Sequence, residues 1–398
     1  MPASFREGDQ LHLDSAGQFD PYEQSPDYEA RLATVAAIRA KQPVAATSHG
    51  WFISSYAGVA SALRQPDTFS GVFEDTTGVP LDEVQITALR EPHHGRIRRV
   101  INSAIAPHKT LPLEPYIRDL ARGLMTDVVA TARRSGSVEL NHAYVDPIPS
   151  RVIARALGLP EHDHERFQTW SDDMVSDYAA TPSAEFVAYL DDQVAMRRRA
   201  PHRPDDVITR LMETEVDRER LSDVAVRTHT MFLIAAGNET TRNLIANTLL
   251  RLARHPDLYA SVRHDRSLIV PLLEESLRLD APVQIAGRAV WNDTEIEGCP
   301  MHAGDRAVLS YTGANRDPDA FPEPDELRLD RPRVRDHVSF GIGPRICPGA
   351  SLARLEARVA IEEFADAVPQ FELIPEYRFV PKPVFWAWGP QRLDVVID

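Results

Sequence analysis

The clearest pattern in the chain is a helical one from Ser222 to Arg254, bounded by a serine suited to capping a helix start and by His255-Pro256 at its end. At ~1.5 Å per residue such a helix reaches about 50 Å, the width of a whole domain. Its middle, Met231-Phe232-Leu233-Ile234-Ala235-Ala236-Gly237, is apolar on every side, which predicts burial all round. Upstream, Leu32, Val35, Ala36 and Ile38 give a helix from Pro26 to Lys41. Short apolar runs at 44–47 and 51–54, split by Ser48-His49-Gly50, predict a β-hairpin, and a helix follows near 56–64. Residues 70–89 carry Phe73, Ile86 and Leu89 but no regular period; an apolar loop of that length is more often functional than idle. Helical spacing resumes near His93 and runs with proline breaks from 113 to about 189. Strand-like runs cluster at 288–291, 295–297 and 306–311, and the last residues, through Phe385-Trp386, alternate like strands. The fold expected is mainly α with small β-sheets, an α+β architecture forming one domain over residues 1–398.

Charge and composition narrow the reading. A net charge of -15 over 398 residues argues against general binding to nucleic acid or anionic membranes. No apolar run approaches the ~18 residues of a membrane span, and Met1–Glu7 lacks the apolar segment of a signal peptide. The two cysteines, Cys299 and Cys347, provide no disulfide framework, which fits a reducing cytoplasm. Cys299 lies in Glu297-Gly298-Cys299-Pro300, between two strand-like runs, and reads as structural.

Cys347 is different. Phe340 to Ala350 holds three glycines and two prolines, so it cannot be regular helix or central strand, and a helix follows at once. A cysteine there meets unpaired amide N–H groups and the positive end of a helix dipole, both of which stabilise a thiolate. Close glycines let the backbone approach a flat partner. A structural cysteine in a Gly-rich turn is the bland alternative.

The pattern Phe340-Gly341-x-Gly343-x-Arg345-x-Cys347-x-Gly349 resembles the haem-ligand loop of the cytochrome P-450 family, the haem-thiolate monooxygenases. Three further motifs agree in order. Ala236-Gly237-Asn238-Glu239-Thr240 is similar to the family's oxygen-side motif. Glu275-x-x-Arg278 is similar to its structural pair, for which Arg331 is the candidate third partner. His94 and Arg98 stand at the spacing of its H-x-x-x-R pair, although the lead-in here is Arg90-Glu91-Pro92-His93-His94 and leaves His93 open as the histidine used. Taken alone, the Arg and His residues around 93–99 read equally well as a solvated helix face.

The resemblance implies haem b, with Cys347 as the axial ligand and the metal site. His94, Arg98, Arg288 and Arg345 would hold the propionates. Phe340, Gly341 and Gly349 would shape the loop, and Ala236 and Gly237 would leave room for dioxygen. Thr240 would hydrogen-bond the bound dioxygen or a water, and Glu239 would relay protons, as heterolytic O–O cleavage requires. The family's substrate-contact regions fall on Phe73, Ile86, Leu89, Phe232, Ala235, Gln284, Ile285, Phe385 and Trp386. Nearly all are apolar, which favours a neutral terpenoid, steroid-like or aromatic substrate. Arg90 turned inward would instead anchor a carboxylate. The implied partners are O2, a small-molecule substrate, and a ferredoxin or flavodoxin with its reductase. Arg96, Arg99, Arg354 and Arg358 are the expected docking patch. A peroxide-using haem-thiolate enzyme and a non-catalytic haem sensor are the alternatives; the implied type is a soluble, bacterial, cytoplasmic member without a membrane anchor.

Overall fold

The computed structural model describes residues 19–23, 28–71, 76, 78–176 and 182–397. Its organising element is the Asp223–Arg254 helix of 32 residues, whose N-cap Ser222 accepts a hydrogen bond from the Ala225 N–H at 3.1 Å. Helices Pro147–Leu157, His164–Ser176, Ala184–Arg199, Ile269–Leu279 and Ala350–Ala367 all pack against it.

Two apolar cores meet along this helix. Its first half, Ala225 to Ile234, packs in one core with Ile97, Ile101, Phe186, Leu190 and Leu211. Its second half, Leu244 to Ala253, packs in the other with Ile117, Val128, Leu272, Val359 and Phe364. Each core fixes one half of the helix by apolar burial. Residues 235–243 lie between the cores, and there the sequence turns polar: Asn238, Glu239, Thr240, Thr241, Arg242 and Asn243.

The largest sheet has five strands in the order Val44–Thr47, Gly50–Ile53, Arg306–Ser310, Ile285–Val290, Phe69–Ser70. The expected hairpin forms with Val44 opposite Ile53 and Thr47 opposite Gly50. Gly50 has φ +114°, and a Cβ there would lie 2.3 Å from the Arg306 carbonyl oxygen, so the neighbouring parallel strand leaves room only for glycine. Strands Val138–Glu139, Asp394–Ile397 and Phe371–Leu373 form a second sheet. Cys299 opens a short strand rather than sitting in the turn, which Glu297 and Gly298 make with positive φ. Residues 380–390 form a loop with isolated bridges at Val283–Ala387 and Pro381–Pro390 instead of regular strands. The result is the mainly helical fold with small sheets expected from the sequence. Among the described residues, no helix is long and apolar enough to cross a membrane.

Candidate active site

The loop before the Ala350–Ala367 helix is fixed by its own backbone. Gly341 and Gly343 take φ +67° and +73°, and the Cys347 N–H donates to the Phe340 carbonyl at 2.8 Å. Both glycines occupy left-handed backbone that strains other residues. A Cβ on Gly349 would lie 3.9 Å from the Cys347 sulfur, so backbone and sulfur are in close approach. Burial pushes the Cys347 thiol above its ordinary range. The N–H groups of Gly349 and Ala350 and the charges of Arg98 and Arg354 act in the opposite direction, stabilising thiolate. Among the described residues, no group of three or more His, Cys, Asp and Glu side chains could hold an ion alone. A metal at Cys347 therefore has to bring most of its ligands with it, as a porphyrin does.

Beside the cysteine lies an excess of positive charge. His94 is buried, whereas His93 is exposed. His94 Nδ1 lies 2.8 Å from Glu91 Oε1, and the Gly95 N–H donates to Glu91 Oε2 at 2.9 Å. Burial, then the neighbouring Arg345, push His94 down to about 4. Arg345 donates to the Leu89 carbonyl at 2.8 Å and sits 3.9 Å from Glu91; burial and the like charge of Arg288 bring it down to about 10. Arg98 donates to the Ile346 carbonyl. The Nε atoms of both Arg98 and Arg345 are buried without a hydrogen-bond partner. Buried donors of this kind are normally satisfied, and leaving one unmade costs about 1–3 kcal/mol. Arg345 is the one of these arginines near Glu91, and the orphaned donors of Arg98 and Arg345 fit a dianionic edge such as the two propionates of a haem. Glu91, which positions His94, was not singled out in the sequence; its signal was a carboxylate three residues before a histidine at a helix start.

On the central helix, Ala236 is the one exposed residue between Ala225 and Ala253. The Thr240 hydroxyl donates to the Ala236 carbonyl at 2.9 Å. A Cβ on Gly237 would meet Ile153 at 3.7 Å, ordinary contact on the side facing the Pro147–Leu157 helix. Glu239 is 1% exposed; its Oε1 accepts from Asn243 Nδ2 at 2.8 Å, and Arg242 pairs with Oε2.

The structure splits the remaining residues expected to line a substrate pocket. Ile86, Leu89 and Phe232 share one apolar cluster, while Ala235 and Trp386 pack together against Val175, Val384 and Ala387. Phe232 and Ala235 are one helical turn apart, so these clusters flank Ala236. Ile285 turns toward Val35, Phe52 and Val308, and the Gln284 amide lies 3.4 Å from the Tyr28 hydroxyl. Phe385 is exposed, edge-on to Tyr22 at 5.3 Å. Phe73 lies outside the described residues. Arg90 does not turn inward: it is exposed, with its guanidinium 4.0 Å above the Trp291 ring.

The expected docking patch is also altered by pairing. Arg96 pairs with Asp82 and Glu219, Arg99 with Asp217, Arg354 with Glu274, and Arg358 with Glu114 and Glu362. None of the four is a free surface cation.

Comparison with known proteins places the chain in a family. The cytochrome P-450 family model matches residues 184–367. The erythromycin C-12 hydroxylase of Saccharopolyspora erythraea is 35% identical over 85% of this chain and 87% of its own length. The vitamin D(3) 25-hydroxylase of Pseudonocardia autotrophica is 36% identical over 83% and 85%. The crystal structure of CYP109E1 from Bacillus megaterium in complex with corticosterone superposes with a TM-score of 0.81 at 27% identity, covering 92% of this chain and 99% of that one. The chain belongs to the cytochrome P-450 family. It is a haem-dependent monooxygenase similar to bacterial hydroxylases of the family.

Proposed function

We propose that this chain, acting as one haem domain, hydroxylates or epoxidises a small, neutral, mostly apolar molecule of terpenoid, steroid-like or aromatic type. Bound haem b, with Cys347 as its ligand, supplies activation of O2 by two electrons. Those electrons come from a separate ferredoxin or flavodoxin with its reductase, in the cytoplasm. The observation that carries the reading is the pairing of a thiol-directed N–H loop with neighbouring arginines, Arg98 and Arg345, whose buried Nε donors have no hydrogen-bond partner. His94, Arg98, Arg288 and Arg345 orient the cofactor through its carboxylates. Ala236 keeps the space above it open, Thr240 holds a hydroxyl proton there, and Glu239 stores the proton to be delivered.

A neutral substrate is supported by the uncharged clusters around Ala236 and by the outward placement of Arg90. Burying a charge there without a partner is costly, and a few well-buried apolar contacts at roughly 1.5–3 kcal/mol each suffice for micromolar binding. The named activities of the two hydroxylases and the corticosterone complex point to polycyclic or macrocyclic probes. Titrating the haem-loaded protein with corticosterone, vitamin D3 and a carboxylic acid analogue of each, while following the haem spin state, tests this. Tighter binding of the neutral ligands is expected; tighter binding of the acids, lost in Arg90→Ala, overturns it. The intact Glu239–Thr240 pair disfavours peroxide-driven chemistry, and Thr240→Ala should divert electrons from product to peroxide.

A further inference from the structure

The segment from Leu81 to Leu89 brings Ile86 and Leu89 into the cluster they share with Phe232, yet it contains only two short helical turns, Leu81–Glu83 and Ile86–Ala88. Turns this short do not hold a position by their own hydrogen bonds. Residues far away in the chain fasten the segment instead. At its far end the Arg345 guanidinium donates to the Leu89 carbonyl at 2.8 Å. Beside that bond a Cβ on Gly71 would lie 2.6 Å from the Ala88 carbonyl oxygen, so the backbone after strand Phe69–Ser70 presses on the segment there. At its near end His229 Nε2 lies 2.9 Å from the Asp82 carbonyl oxygen, across 147 residues. Both bonds grip main-chain carbonyls, so they fix the path of the backbone whatever side chains it carries.

His229 is wholly buried on the central helix, and its Nδ1 is buried without a hydrogen-bond partner. Burial pushes the ring down to about 4, so it is neutral and carries a single N–H. Nε2 is the nitrogen that faces an acceptor, so the N–H sits there and donates to Asp82. The other contacts at this end lie nearer solvent. Arg96 pairs with Asp82 and with the largely exposed Glu219, and the exposed Ser222 donates to Glu83 at 2.8 Å. Ion pairs open to water are screened and contribute little. The buried histidine is therefore the firm hold, and it stands one helical turn before Phe232 on the same face of the central helix.

We propose that His229 is a positioning residue for substrate binding: by holding the Asp82 carbonyl it sets Ile86 and Leu89 against Phe232. This rests on the reading of those three residues as lining of the substrate pocket. With the Leu89 end held by Arg345, release of Asp82 leaves the segment free to swing about that end, and Ile86 moves with it. A rigid polycyclic ligand cannot follow a displaced wall, so a wall fixed in advance favours that class of substrate.

Gln and Asn each keep an amide at position 229, but only Gln is long enough to bring its N–H to the place of Nε2. In spin-state titrations of the haem-loaded protein, His229→Asn should bind corticosterone about tenfold more weakly, and His229→Gln should match wild type within twofold. Amide hydrogen exchange over residues 81–89 should be about tenfold faster in His229→Asn alone. The urea midpoints of the two variants should agree. With a ferredoxin, its reductase and NADPH, the corticosterone KM should rise in His229→Asn while kcat stays within twofold. Equal exchange and equal affinity in the two variants overturn the proposal, and so does a change in either without the other. Clotrimazole, which ligates haem iron through its own imidazole nitrogen, separates this proposal from the substrate reading. A wild-type protein that binds clotrimazole but not corticosterone refutes the substrate class, and the same Asn–Gln comparison made with clotrimazole then decides the role of His229. Should His229→Asn not retain haem, the apolar His229→Leu takes its place with the same expected losses.

Discussion

Two groups of buried arginines lie within this fold, and they are built on opposite principles. Around Glu275 every charge has its answer. Arg278 donates to Glu275 at 2.6 and 3.0 Å and to the carbonyls of Asn315 and Glu326; Arg331 donates to Glu275 at 2.9 Å and to the carbonyls of Glu323 and Glu326. Burial raises Glu275, but the hydrogen bonds from Arg278 and the Arg328 N–H outweigh it and hold its carboxyl below the usual range. Around Cys347, Arg98 and Arg345 keep buried Nε atoms without partners. A fully satisfied ionic cluster is a frame, and one left with unmatched cations is a binding site. The difference sorts arginines that sequence spacing alone treats alike.

Breaking the frame should have the largest effect. Arg278→Met leaves Glu275 buried with half its partners, a loss of about 3–5 kcal/mol. Urea denaturation and the yield of folded protein read it; a midpoint near wild type would deny the frame its role.

The site cluster should respond in the opposite sense. Arg98→Gln and Arg345→Gln should leave the urea midpoint of the haem-free protein nearly unchanged. Each removes a charge-assisted hydrogen bond to the cofactor, worth about 1.5–3 kcal/mol, so haem should leave for apomyoglobin about 10–100-fold faster. Loss of stability without loss of haem would put these residues in the frame.

A smaller effect follows from His94. Its folded pKa, about 4, lies below its ordinary value, so the unfolded chain takes up the proton first as pH falls. Stability is fully present above the ordinary histidine range and declines through the window down to about 4, by about 1–3 kcal/mol in the haem-free protein. Haem propionates favour the charged ring and should shrink this decline. Denaturation midpoints against pH, with and without haem and in His94→Asn, measure it.

Much of this was legible in the sequence, for definite reasons. The Asp223–Arg254 helix has a capping serine, a closing His-Pro and an all-apolar centre, and it forms within one residue of the expected start. The cysteine loop is equally local, since glycine and proline leave few alternatives. Side-chain direction was not legible. Position identified Gln284, Ile285 and Phe385, but which way each turns depends on Tyr28, Phe52 and Tyr22, far away in the chain. The pairing within the expected basic patch was not legible for the same reason: Arg354 meets Glu274 across 80 residues, a pairing no periodicity reveals. The direction of Arg90, left open by the sequence, is likewise set by a partner in a different segment, Trp291.

The central claim is that Cys347 holds the haem iron as a thiolate, and one measurement addresses it directly. The reduced carbon-monoxide difference spectrum should show the long-wavelength thiolate band in wild type and in Cys299→Ser, whose thiol only donates weakly to the Val44 carbonyl at 3.7 Å. Cys347→Ser should lose that band even where haem is retained by the His94, Arg98, Arg288 and Arg345 cluster. A normal thiolate spectrum from Cys347→Ser would contradict the assignment outright.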